Sequence, residues 1–164
     1  MRYQDIKPLD VANGDGIRVT IFVSGCTIGC KGCFNLEAQD FNKGNLVTEE
    51  TYKELEKLLD KPHIQGLTVL GGEPMDNAKG VLNLLKSLNK GIRERNQDVW
   101  LFTGHYMEEL KGVQKEVLDY VDVVIDSPFE LENYAPDLYF RGSSNQRMWV
   151  KENNKWIIKE NIDE

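Results

Sequence analysis

All three cysteines of the chain fall in the stretch "FVSGCTIGCKGCFN" (22–35), as Cys26, Cys30 and Cys33. Three and two residues separate them, so one short loop can wrap three thiolates around a compact centre. An odd number cannot pair off as disulfides within one chain. A structural zinc site closes with a fourth protein ligand, and His63 and His105 are the only histidines available. A four-iron cluster held by three cysteines behaves differently, because its fourth iron keeps a position for an external ligand. Gly25, Gly29 and Gly32 would let backbone N–H groups approach the sulfides, and Lys31 would offset thiolate charge. Iron–sulfur, zinc and redox-thiol readings all stand on the cysteines alone. A ferredoxin-like electron carrier would need a fourth cluster ligand from the protein.

The remaining composition narrows the setting. The chain has 164 residues, 40% of them hydrophobic and 29% charged, which suits one domain spanning 1–164 with a core of its own. A formal net charge of −7 argues against nucleic acid, whose phosphates call for a basic surface. No apolar run approaches the length of a membrane span, and "MRYQDIKPLD" lacks the apolar core of an export signal. Closely spaced thiols without such a signal point to metal or redox use in the cytoplasm.

The elements that must position the cysteines alternate in type. "IRVTIFV" (17–23) reads as a buried strand running into the cysteine loop, and "TEETYKELEKLLD" (48–60) as an amphipathic helix capped by Thr48. "GLTVLGGEP" (66–74) is a strand that stops at glycines and a proline; 78–96 is a helix interrupted by Gly80 and Gly91. "DVWLFTG" (98–104) and "VDVVIDS" (121–127) are further strands, with a helix over 107–121 between them. Nearly all-apolar strands separated by helices imply a parallel α/β sheet. Two strand-like runs around Glu152, Asn153 and Asn154 imply a C-terminal hairpin. In parallel α/β folds, ligands gather at the carboxyl ends of the strands. The cysteine loop, "GGEP", Thr103–Gly104 and Asp126 should therefore share one rim.

The spacing C-x3-C-x2-C followed by "GGEP" (71–74) resembles the radical S-adenosylmethionine enzymes. "NGDGIRVTIFVSGC" (13–26) is similar to the N-terminal signature of glycyl-radical enzyme activases. "CKGCFN", "FTGH" (102–105), "VVIDSPF" (123–129) and "RGSSNQR" (141–147) are similar to the branch that activates anaerobic ribonucleoside-triphosphate reductases. The resemblance runs from about Asn13 to Arg147. It implies a small, partial, open (β/α) barrel with outer helices. It also implies a [4Fe-4S] cluster held by Cys26, Cys30 and Cys33, with S-adenosylmethionine at the open iron. Gly71, Gly72, Glu73 and Pro74 would hold the methionine end, where close backbone approach, carbonyls and a carboxylate suit an ammonium group.

By the same resemblance, Gly32 and Phe34 would border the cofactor, and Thr103 would touch its ribose or adenine. Asp126 would be a cofactor or partner contact, or a cap on its strand. The activity implied is reductive cleavage of S-adenosylmethionine to a 5′-deoxyadenosyl radical. That radical would take hydrogen from a glycine of the reductase large subunit, with a donor such as flavodoxin supplying the electron. The activase would be cytoplasmic and could pair as a homodimer. Two departures stand out: Gly14-Asp15-Gly16 replaces the commoner Gly-Pro-Gly, and Gly32 occupies a position that is often aromatic across the superfamily. The competing readings are an activase of the formate-lyase type and a zinc-stabilised binding module. "RGSSNQR" reads as a polar, flexible segment facing partner or cofactor, or as a plain approach to the hairpin. Trp149 and Trp156 read as sheet-face packing or an interface.

Overall fold

The computed structural model describes residues 1–28, 40–138 and 140–159. Eight strands form one mixed sheet in the order β3-β1-β2-β4-β5-β6-β7-β8. Its centre is parallel: β2 (Ile17–Val23), β4 (Ile64–Gly71), β5 (Asp98–Phe102) and β6 (Val123–Asp126) lie side by side in chain order. Antiparallel strands flank both sides. On one side lie β1 (Arg2–Asp10) and the two-residue β3 (Asn45–Leu46); on the other, β7 (Arg147–Glu152) and β8 (Lys155–Lys159). The two outer strands do not pair, so the expected open barrel with a terminal hairpin is the architecture observed.

Alternation along each strand divides the sheet into two faces. Val19, Ile21, Val23, Leu67, Val69, Val99, Leu101 and Val124 are buried in one apolar cluster with residues of all three helices. Those helices are α1 (Glu49–Leu59), α2 (Ala78–Glu94) and α3 (Val113–Leu118). They contribute Leu55 and Leu59, then Leu85, Leu88 and Ile92, then Val117. None of these three helices packs on the opposite face. There Trp100, Val123, Ile125 and Met148 form a smaller cluster with Phe102 and Phe140. Trp149 and Trp156 pack as partly buried neighbours of the helix-side core.

Several boundaries differ from the sequence reading. The helix expected over 107–121 is a 3-10 turn at Met107–Glu109 followed by the short α3, because Gly112 takes φ +59 and breaks the spiral. β4 starts earlier than read, at Ile64, and ends at Gly71 where the glycines stop it as expected; Pro74–Asn77 then coil into a 3-10 turn. The α1 cap is the expected Thr48, in a reciprocal pair with Thr51: the Thr48 N–H donates to Thr51 Oγ1 at 3.0 Å. β1 was not foreseen, since its residues are mostly half-exposed or exposed and carry no apolar alternation. The hairpin does close through Asn153 and Asn154, both at positive φ (53 and 62), as a tight primed turn demands. Among the described residues, no helix is long and apolar enough to cross a membrane.

Candidate active site

Parallel pairing carries the ends of β2 and β4 to the same level, with Val23 opposite Gly71. Both chains then turn, and their turns are bonded to each other. The Gly72 N–H donates to the Val23 carbonyl at 2.8 Å, and the Glu73 N–H to the Gly25 carbonyl at 2.7 Å. Gly71 sits at φ +124, and a Cβ there would lie 2.5 Å from both the N and the O of Val23. Any side chain would force the two strand ends apart, so glycine is required by the approach itself. The Asn77 amide donates to the Ser24 carbonyl (3.1 Å) and the Glu73 carbonyl (3.0 Å), bracing the same junction.

Asp76 extends this fastening past the first cysteine. Its Oδ2 accepts from the Thr27 N–H (2.7 Å) and the Thr27 hydroxyl (2.8 Å), while its Oδ1 meets His105 Nε2 at 2.7 Å. Cys26 is thus held between residues that are bonded on both sides to the turn after β4. Cys30, Cys33, Gly32 and Phe34 lie outside the described residues. His63 precedes β4, at the opposite end of that strand from Gly71, roughly 25 Å away at the usual rise per residue. It cannot close a centre at Cys26. His105 does reach the rim, but its Nε2 is engaged by Asp76.

Glu73 is almost completely buried at 1% exposure. Its carboxylate accepts from the Met75 N–H (2.8 Å), the Thr103 hydroxyl (2.7 Å) and the Gly104 N–H (2.5 Å). Burial pushes the acid up to about 7, against the lowering effect of those three donors. The side chain therefore ties the end of β4 to the end of β5. Thr103 is spent in the same tie, and its hydroxyl also accepts from the His105 N–H at 3.1 Å.

Asp126 is likewise fully buried at the end of β6. Its carboxylate takes the Arg147 guanidinium (2.6 and 3.0 Å), the Met107 N–H (2.8 Å) and the Ser127 hydroxyl (3.0 Å). Arg147 in turn grips Glu108 with two bonds of 2.9 Å. Its hydrogen bonds to these two acids raise the guanidinium's pKa further, and Glu108 is held below its ordinary value by Arg147. Asp126 thus stands on the rim as the buried half of a clip between β6, β7 and the Met107 turn.

These pieces border one cavity of about 630 Å³ on the face of the sheet opposite α1, α2 and α3, in the size range of small-molecule sites. Cys26, Gly71, Gly72 and Glu73 border one part of it, and Thr103 and Gly104 stand beside them. Phe22, Leu70, Phe102 and Ile125 give it an apolar floor. The segment after β6 supplies Phe129, Phe140 and Arg141 as its cover. Pro74 is buried behind the wall at the start of the 3-10 turn. A half-exposed thiol beside closely packed glycine backbone and an apolar hollow suits a thiolate-held metal centre with an organic ligand alongside. The residues present fit that pair of groups.

Sequence reasoning did not single out Asp76, Asn77 or Arg141. Asp76 and Asn77 follow "GGEP" immediately, in the register of a capped 3-10 turn, which is the signal that could have found them.

A parallel-cored open sheet with a cysteine at the carboxyl end of its first parallel strand defines a class, and comparison with known families names it. Residues 12–149 match the family described as "4Fe-4S single cluster domain", and the chain belongs to that family. Within it the chain is 41% identical over 158 residues to an anaerobic ribonucleoside-triphosphate reductase-activating protein of Enterobacteria phage T4, covering 95% of this chain and 98% of that protein. The proteins of the same name from Haemophilus influenzae and Escherichia coli K12 are 40% and 34% identical, each over 89% of this chain and 96% of the relative. The chain is a member of the family of anaerobic ribonucleoside-triphosphate reductase-activating proteins.

Proposed function

We propose that the chain, as a single radical S-adenosylmethionine domain over residues 1–164, generates the glycyl radical of an anaerobic ribonucleoside-triphosphate reductase. The observation that carries this reading is the bonded junction of the Cys26 turn with Gly71–Glu73 on the wall of one cavity. A [4Fe-4S] cluster held by Cys26, Cys30 and Cys33 would supply one electron for reductive cleavage of S-adenosylmethionine, the chemistry from which a glycyl radical on the partner would arise. The chain's own residues bind and orient. Cys26, Cys30 and Cys33 supply three thiolates. The backbone of Gly71 to Pro74 offers its carbonyls to the ammonium group of the cofactor, since the Glu73 carboxylate is already engaged. Gly32, Phe34 and Thr103 border the adenosine, and the floor formed by Phe22, Leu70, Phe102 and Ile125 keeps water from the reacting carbon. Asp126 acts through Arg147, fixing the strand end that carries the cover.

The partner is the large reductase subunit, the electron comes from a donor of the flavodoxin kind, and the chain works in the cytoplasm, alone or as a homodimer. The test is anaerobic reconstitution followed by reduction with dithionite in the presence of S-adenosylmethionine. About four irons per chain and 5′-deoxyadenosine that disappears in Cys26→Ala are expected. Tightly bound zinc, or a cluster that never cleaves the cofactor, would return the loop to a structural role.

A further inference from the structure

The "RGSSNQ" turn (141–146) is held by its own side chains, and one of them is left over. Gln146 Oε1 accepts from the N–H groups of Gly142 (2.7 Å) and Ser143 (3.2 Å), while its Nε2 donates to the Ser127 carbonyl at 3.1 Å. The Asn145 amide donates to the Pro128 carbonyl at 2.7 Å, and the fully buried Ser143 hydroxyl accepts from the Glu130 N–H at 3.2 Å. The segment read as flexible is thus bonded at five points. Arg141 stands outside this scheme. It lines the cavity, and among the described residues its Nε is buried with no hydrogen-bond partner while its Nη1 makes only a long 3.4 Å contact to the Gln146 carbonyl.

The other ion pairs sharpen the contrast. Arg18, Arg93, Arg95 and Arg147 each pair with a carboxylate, whereas among the described residues no carboxylate lies within ion-pair distance of Arg141. Glu73, the one acid among the described residues on the cavity wall, is turned toward Thr103, Gly104 and Met75. Among the described residues, the cavity therefore holds a cation with no anion turned toward it. A desolvated guanidinium is satisfied best by a carboxylate, through charge-assisted and often paired hydrogen bonds.

We propose that Arg141 is the carboxylate receptor of this cavity, reaching from the cover to the carboxylate of the S-adenosylmethionine amino-acid end. The assignment rests on the function proposed above. It gives the segment between β6 and β7 a direct part in holding the ligand. An acidic side chain of the partner entering the cavity presents the same chemistry, and the experiment separates the two sources.

The cluster-loaded chain, Arg141→Gln and Arg141→Lys are compared anaerobically for equilibrium binding of S-adenosylmethionine and of its decarboxylated analogue, with iron content and far-ultraviolet dichroism measured on each. The wild type should favour the carboxylated ligand by a factor about ten or more larger than Arg141→Gln does, the usual scale of one charge-assisted bond. Arg141→Lys, which keeps the charge without the planar fork, should fall between them, and it carries the comparison alone if Arg141→Gln fails to hold iron. Equal weakening of both ligands in the variants would mean a merely structural role and overturn the proposal. Unchanged binding, with more reductase needed for half-maximal glycyl radical formation, would move the carboxylate to the partner and overturn the cofactor assignment. A wild type that binds neither ligand would remove the underlying function, a result visible without any variant.

Discussion

Replacing Glu73 with glutamine probes the tie between β4 and β5 in a way that separates charge from shape. The wild-type acid is raised from an ordinary 4.5 to about 7, because burial at 1% exposure outweighs its three donors. Between those two values it is protonated in the folded chain and ionised in the unfolded one. Stability should therefore fall as pH rises through that window, by about 1.4 kcal/mol per pH unit and about 3 kcal/mol across it, and level off above pH 7. Glutamine cannot titrate, yet its amide must face one of the N–H groups of Met75 and Gly104 or the Thr103 hydroxyl, at a fixed cost of about 1–3 kcal/mol. Urea denaturation of the metal-free wild type and Glu73→Gln at pH 5, 6, 7 and 8 reads both effects. The variant should be the weaker protein at pH 5 and should draw level with the wild type or pass it by pH 8. A stability difference that stays constant over this range would refute the raised acid, whatever its size.

Gly71→Ala should lower stability by about 1–3 kcal/mol from its φ alone, and by more from the clash with Val23, read as a drop in the urea midpoint. Asp76→Ala frees Thr27 and His105 together, so iron retained after reconstitution and dialysis against a chelator should drop by about 10–100-fold in affinity, as for losses behind a metal ligand. Arg147→Ala leaves the buried Asp126 without its cation and should cost about 3–5 kcal/mol in urea denaturation, with Asp126→Asn in the same chain recovering part of the loss.

The parallel core was legible in the sequence because β2, β4, β5 and β6 are buried on both faces and read as apolar runs. That order was enough to place Cys26, Gly71–Glu73 and Thr103 on one rim. β1 escaped notice for the opposite physical reason: only its pairing with β2 makes it a strand, and nothing in its own side chains repeats. The role of Glu73 was beyond reach, and for Asp126 the strand-cap reading was open to the sequence but its partner Arg147 was not. Their residue types suited ligand contacts, yet both carboxylates are consumed by protein donors that come from distant parts of the chain, Thr103 and Gly104 in one case and Arg147 in the other. Arg141 is the reverse case, a residue marked by having no carboxylate beside it among the described residues, and no local pattern announces that.

The sheet is laid down almost in reading order, with only β3 returning to an earlier edge. A ribosome therefore releases the scaffold of the thiols first, and nascent β2 and β4 can pair while the cover over the cavity is still unsynthesised. Arg18 already lies over Trp100, whereas Phe140 and then Met148 come late to the cluster with Val123 and Ile125, so the segment after β6 converts an open trough into a chamber. The order of the strands along the chain thus sets the first thiol and the glycine turn in place ahead of the segment that closes the cavity over them.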